Sequence, residues 1–305
     1  RRWLHRSLTT LHLVWQASVL ARLRNVADQG SYSFNDVLQS YVNERFLARL
    51  AVSPEADTVL LKGALMLRVW GVPRARPTMD IDVLRRGAAD RDTLTGIVRQ
   101  CASTIDEIDG VTFDASSLTV EMIHEAGGYV GIRIRVPARL DNVRQVVQID
   151  FGVGDAVYPS PLVIEYPVLL GGPPLKLRAY PVEAAIAEKY QAMVQLDLGN
   201  SRMKDFYDVW ILSQALEFDG QELSKSIQAT FERRETPIPT TPPAALTERF
   251  SGDTGHMRQW DAFVTRIAEP SLRGALPTVI RTVAAFLMPP AISAAERNPF
   301  RSRWT

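Results

Sequence analysis

Cysteine is nearly absent from this 305-residue chain, with Cys101 alone, and there are only four histidines. A lone thiol excludes an internal disulfide framework and any zinc site built from several cysteines, and it fits a reducing compartment. His5, His12, His124 and His256 are scattered with no pair at ligand spacing, which argues against a zinc enzyme. An excess of one charge is missing too: 35 Lys and Arg face 34 Asp and Glu, a net charge of +1. Any nucleic-acid surface must therefore be a local patch rather than a global field. No uninterrupted apolar run approaches the ~20 residues that span a bilayer; "LPTVIRTVAAFLM" is short and carries Arg281. The basic, apolar start loosely imitates a signal peptide, but His12 and Gln16 interrupt it. Leu8, Leu11, Trp15, Val19 and Leu23 recur at helical spacing instead, which predicts an amphipathic helix docked on the body. These features read as a cytoplasmic protein that does not enter a membrane.

What is present is an ordinary globular composition, 46% hydrophobic and 23% charged. Residues 8 to 52 read as mostly helical, with a cap at Ser33 or Asn35 and an apolar stripe through Leu38, Tyr41, Val42, Phe46 and Leu50. "TVLLKG" reads as a short buried strand, "ALMLRVWG" as a helix ended by Gly71, "TMDIDVLR" as a strand and "DRDTLTGIVRQCAST" as a helix. Three further strands, "LTVEMIHE", "YVGIRIRVPARL" and "VRQVVQIDFGVG", are spaced by turn signals and predict a meander. After about residue 170 the pattern becomes helical, over 181–197, 202–216, 221–232, 257–268 and 276–288. No internal repeat is found. The order predicts residues 1–170 as N-terminal helices plus a mixed α/β core. Residues 171–305 then form a helical C-terminal domain.

The stretch "RPTMDIDVLRRG" carries the chemistry. On a strand Asp80 and Asp82 point one way, Ile81 and Val83 the other. Two carboxylates that close repel. A divalent cation such as Mg²⁺, bound by a few carboxylates plus substrate phosphates, would compensate them; a solvated edge strand is the plainer reading of a bare D-x-D. Other features bear on the choice. "LLKGA" is a strand-to-helix turn whose Gly63 lets backbone approach a phosphate. Asp150 interrupts an otherwise apolar strand, where an acid must be paired or metal-bound; a salt bridge to Arg144 or Arg133 is the structural alternative. Lys189 falls on the inward stripe of "PVEAAIAEKYQAMVQL". In "SRMKDFYDVWIL", Asp208 could hold Lys204 or Lys189 in position.

Together these segments resemble the nucleotidyltransferase superfamily. More closely, the chain resembles the AbiEii/AbiGii-type toxin nucleotidyltransferases of type IV toxin–antitoxin systems, the group that includes the mycobacterial MenT toxins. The matching stretches, from "NDVLQSYVNERFLARL" through "VLLKGALMLRVWG", "RPTMDIDVL", "QIDFGVGD" and "AYPVEAAIAEKYQAMV" to "NSRMKDFYDVW", span residues 35 to 210. The resemblance implies an α+β fold: a nucleotidyltransferase-like mixed β-sheet core flanked by helices, with the C-terminal helical domain completing the cleft. It implies Mg²⁺ on Asp80 and Asp82, with Asp150 completing the site or activating the attacking hydroxyl. Gly63 and Ala64 would cradle the triphosphate. Lys189 would contact phosphate or stabilise charge on it, and Asp208 would position Lys189 or the nucleotide. Lys204 and Asp205 are lesser candidates. Arg76 and Thr78 would touch the phosphates or the acceptor. Ala64 stands where the family often has Gly or Ser, so any phosphate contact there falls to backbone.

The implied activity is transfer of NMP from NTP to RNA, at the tRNA 3′ end, with translation blocked and a cognate antitoxin as partner. Arg68, Arg74, Arg76, Arg85 and Arg86 cluster near the D-x-D strand. Arg297, Arg301 and Arg303 form a basic tail with Phe300 and Trp304, suited to backbone contact and base stacking or simply a solvated terminus. Alternatives are nucleotidylation of a partner protein, a small-molecule acceptor, or a non-catalytic regulatory relative. The intact Asp80, Asp82 and Asp150 argue against the last.

Overall fold

Strand alternation and helix capping account for most of the architecture. The computed structural model describes residues 18–30, 33–73, 75–105, 109–124 and 130–304. Helical residues 18–30 form α1, and α2 is Phe34–Ala51, capped by the Ser33 hydroxyl, which accepts from the Asp36 amide. Leu8, Leu11 and Trp15 of the expected N-terminal stripe lie outside the described residues, whereas Val19 and Leu23 are buried in the core.

The chain continues through β1 (Val59–Lys62), a single turn of 3₁₀ helix (Gly63–Leu65), α3 (Met66–Val69), β2 (Asp80–Arg85) and α4 (Arg91–Ser103). Then come β3 (Val111–Phe113), β4 (Thr119–His124), β5 (Val130–Leu140), β6 (Val143–Val153), β7 (Leu162–Tyr166) and β8 (Leu175–Ala179). The rest is helical: α5 (Val182–Leu196), α6 (Met203–Ala215), α7 (Gly220–Arg233), α8 (Glu248–Ser251), α9 (Thr254–Arg266) and α10 (Leu276–Glu296). A two-residue strand β9 (Phe218–Asp219) pairs with β10 (Arg303–Trp304).

The main sheet runs β3-β5-β6-β2-β1-β8-β7, with β4 also paired to β5. The β2–β6 and β1–β8 pairs are parallel and the others antiparallel. The expected meander is β4–β5–β6. The sheet also takes β8 from beyond the composition change near residue 170. One face is apolar: Ile81, Val83, Ile134, Val136, Val147 and Ile149 are buried in one core with residues of α1, α2 and α4. A second core gathers α5, α6, α7, α9 and α10 around Trp260, Phe206 and Phe231. This is the expected α+β class, a mixed sheet flanked by helices with a helical C-terminal part.

α10 is long and apolar enough to cross a membrane by composition, yet 56% of that window is buried inside the fold, where it packs in the second core. The C-terminal aromatics are docked rather than free. Trp304 stacks on Phe286 and donates its indole N–H to the Phe286 carbonyl at 2.8 Å. Phe300 meets Trp304 edge-on and lies over Gly220, where an added Cβ would come within 2.4 Å of its ring. Both rings are thus partly buried, Trp304 against the edge of the second core and Phe300 against Trp304 and Gly220, so the C-terminal segment is packed on the fold rather than a fully solvated terminus.

Candidate active site

Alternation on β2 sorts its residues. Ile81 and Val83 are 0% and 1% exposed on the α2 side, and burying each is worth about 1.5–3 kcal/mol. That burial locks the register, because a slip of one residue would turn both into the polar face. It also drives Asp80 and Asp82 onto the opposite face. β2 lies between β6 and β1, so Asp82 is in register with Asp150 on one side and Lys62 on the other. Three carboxylates and a lysine thus share one face. Buried amides set the start of the strand: Asn43 Nδ2 donates to the Met79 carbonyl at 3.1 Å, and Gln39 Nε2 to Asn43 Oδ1 at 2.9 Å. Thr78 Oγ1 lies 3.5 Å from the Asp80 amide, at the limit of a hydrogen bond.

Neither the Asp80 nor the Asp82 carboxylate makes a hydrogen bond or ion pair with the described residues. Desolvation raises the Asp80 carboxyl, and the Asp150 charge raises it further against the pull of Arg133, Lys204 and Arg135. Burial likewise raises Asp82, with Lys204 the first group to oppose it. Two half-buried acids, pushed towards their protonated forms and lacking partners, fit a bound divalent cation. Asp150 differs: Arg133 grips it with Nε and Nη2 at 2.8 and 2.7 Å. Among the described residues no cluster of three acidic, His or Cys side chains is close enough to hold an ion. Of the three aspartates, Asp80 and Asp82 are the open pair.

Gly63 follows β1 directly, with φ +72, and a Cβ there would sit 2.1 Å from Asp82 Oδ2. Only glycine lets this turn approach the carboxylate. Ala64 is 5% exposed and turns its methyl into the second core, which suits it better than a buried hydroxyl. The Gly63→Ala variant should lose activity and melt at lower temperature. The left-handed backbone alone costs an L-residue about 1–2 kcal/mol, and the clash adds to it. Combining it with Asp82→Ala should recover part of the stability but none of the activity; thermal unfolding of the two proteins checks this.

Across the cleft, α5 presents Lys189 between two aspartates of α6. Its ammonium is 2.8 Å from Asp205 and 2.8 Å from Asp208. Arg76 clamps Asp208 with two parallel bonds of 2.7 and 2.9 Å, and Arg202 Nε lies 3.0 Å from Asp205. Burial works to raise the Asp205 carboxyl, but Lys189 and Arg202 outweigh it and hold it at about 2. Burial raises the Asp208 carboxyl too, but the same ammonium, joined by Arg76, outweighs it and leaves Asp208 lowered. Lys189 stays protonated against its own desolvation because of these two acids. Arg76, expected on the phosphates or the acceptor, gives its Nε edge to Asp208 while lining the cleft.

Four residues that the sequence pattern did not single out complete the cleft. Lys62 Nζ is 2.9 Å from Asp155 and 3.0 Å from Glu188, and Arg234 Nη2 is 2.9 Å from Asp155. Burial opposes ionisation of Asp155, yet Lys62 and Arg234 bring its carboxyl down to about 2. Lys62 is directly before Gly63 and Glu188 directly before Lys189, so their neighbours carried the signal. Arg234, at the end of α7, had none. The resulting cleft, about 100 Å³, is lined by Lys62, Gly63, Asp82, Lys189, Lys204 and Arg234 among others. Gly63, Ala64, Arg76, Asp82, Lys189 and Asp205 all line it, from segments far apart in sequence; Asp80 lies beside it on β2, and Asp208 reaches it through Arg76 and Lys189.

A strand–Gly–helix turn beside a carboxylate pair, opening on a narrow cleft lined with cations, suits a phosphate-bearing substrate and a divalent cation. The family model described as nucleotidyl transferase AbiEii toxin, type IV TA system, matches residues 45–285. The chain belongs to that family. Among solved structures it is similar to JHP933 from Helicobacter pylori, at 14% identity and TM-score 0.49, covering 87% of this chain and 95% of that one. It is also similar to MenT4, a nucleotidyltransferase toxin from Mycobacterium tuberculosis H37Rv, at 15% identity and TM-score 0.49, covering 88% and 98%. A search of curated proteins finds no match.

Proposed function

We propose that this member of the family transfers NMP from NTP to an RNA acceptor, the tRNA 3′ end, and so blocks translation in the cytoplasm, under control of a cognate antitoxin. The observation that carries this reading is the unpartnered Asp80–Asp82 pair, its carboxyls raised by burial, with Asp82 lining a cleft rich in cations. Asp80 and Asp82 would hold Mg²⁺, which when bound supplies Lewis-acid stabilisation of phosphoryl oxygens. The acceptor hydroxyl forms a bond to the α-phosphorus, the bond to the β-phosphate oxygen breaks, and pyrophosphate leaves.

The chain's own groups bind and orient. Lys189, fixed by Asp205 and Asp208, sets an ammonium on the cleft for the triphosphate. The Gly63–Ala64 turn lets phosphate approach backbone. Asp208 also holds Arg76, so the two cations keep one spacing. Such positioning and charge stabilisation supply most of what phosphoryl-group transfer requires. Asp150 stands on the β6 side, where it would complete the ligand set or take the hydroxyl proton. Thr78, at the entrance to β2, would touch acceptor or phosphate.

The test is incorporation of each labelled NTP into total tRNA with Mg²⁺. Label in tRNA, lost in Asp80→Ala and in Lys189→Ala, is the expected result. Label on a protein band instead would replace the RNA acceptor with a protein.

A further inference from the structure

We propose that the acceptor RNA lies along a ladder of arginines on the open face of β5 and β6, leading away from the aspartates. This rests on the RNA reading above and names the surface that serves it. In-line displacement requires the entering hydroxyl to stand opposite the leaving pyrophosphate. The Gly63–Ala64 turn proposed for the triphosphate directly follows β1, on the side of β2 away from β6. The sheet order β5-β6-β2-β1 therefore brings the acceptor in over β6 and β5.

Those strands carry the needed charge. Residues paired in register share a face, so Asp150–Arg133, Gln148–Arg135, Val146–Pro137 and Arg144–Arg139 follow one another outward on the face of Asp82. At about 3.3 Å per residue the row from Asp150 to Arg144 covers ~20 Å, the length of several nucleotides. Arg133 is partly neutralised by Asp150, and Arg135 by Glu121 at 2.7 Å. Arg139 and Arg144 are exposed and make no ion pair with the described residues. They stand directly opposite each other, an arrangement of like charges that costs stability. An anion between them reverses that cost. Val146, 46% exposed between the charged rungs, offers apolar contact to a ribose or base. Together these points fit a flexible polyanion that bears exposed apolar rings.

The test measures binding of a fluorescent tRNA pool against salt, beside the incorporation assay, for wild type and for Arg139→Gln/Arg144→Gln. Removing the opposed arginines should leave the melting temperature unchanged or higher. RNA affinity should fall at least about tenfold at 0.1 M salt, and the log–log salt slope should become shallower by about 1.4–1.8, the loss of two phosphate contacts. The KM for NTP should not move. In the opposite direction, Glu121→Gln should release Arg135 and tighten RNA binding. Equal affinity and slope in wild type and double variant would overturn the ladder while leaving the RNA reading intact. Binding that needs the ladder without any incorporation would keep the surface and overturn the transfer reading. Label on protein, with no RNA bound, would overturn both.

Discussion

Asp82→Asn should abolish nucleotide incorporation and, without divalent cation, raise the melting temperature of the same protein. The first effect follows from losing half of the open carboxylate pair. Charge stabilisation of about 4 kcal/mol corresponds to roughly a thousandfold in rate. The second follows from linkage. Burial raises the Asp82 carboxyl in the folded state, so the folded protein holds this proton more tightly than the unfolded chain. Above the unfolded value, near 3.9, ionised Asp82 costs stability, and an amide removes that cost. Each kcal/mol regained should lift the midpoint by roughly 2–4 °C. Addition of Mg²⁺ should stabilise wild type and leave Asp82→Asn unmoved. Thermal scans at pH 7 with and without the cation, beside an incorporation assay, check both halves. A variant that melts below wild type without cation would refute the idea that this acid is kept for chemistry at the expense of stability.

Asp208→Ala should act in the opposite sense and lower both activity and stability. Its side chain is 1% exposed and receives Arg76 through two bonds and Lys189 through one. Truncation leaves two cations facing each other in a buried site, a loss of about 3–5 kcal/mol for the broken network. Asp208→Asn keeps the volume and some of the bonds, so its loss should be smaller. The pH dependence has a definite sign. Asp205 is held at about 2 and Asp208 is also lowered, both by Lys189 and a neighbouring guanidinium against burial. Lowered carboxyls contribute stability that is fully present above the unfolded value and disappears as pH falls towards the folded one. Urea unfolding from pH 7 down to pH 3 should therefore show wild type losing stability below about pH 4, with a shallower loss in Asp208→Ala. An unchanged denaturation midpoint in Asp208→Ala at pH 7 would show that the network contributes nothing to folding.

Much of this was legible in the chain. Period-two alternation in "TMDIDVL" put Asp80 and Asp82 on one face, because Ile81 and Val83 had to be buried together. Ser33, Asp90, Asp219 and Asp253 each accept backbone amides at a helix start, and a cap of this kind is a local event written in neighbouring residues. The helical stripe around Lys189 told that its ammonium points inward. Gly63 was marked by its place between strand and helix. The candidate site was legible in these local patterns set in a recognisable order.

Other features depend on contacts between distant segments, which no local pattern records. The sequence offered Arg133 or Arg144 for Asp150; Arg133 takes it because β5 and β6 pair in one particular register. Lys189 chose Asp205 and Asp208 together rather than either one, and Arg76 turned to Asp208 across 132 positions of sequence. The Lys62–Asp155–Glu188–Arg234 cluster draws on β1, the segment after β6, α5 and the end of α7. Trp304 packs at the edge of the second core and Phe300 against Trp304. Which side chains share a face of a strand or helix follows from periodicity and can be read along the chain. Which charge neutralises which emerges only on packing, because a buried ion must find its partner within a few ångströms wherever the folded elements bring one, however far away it lies along the chain.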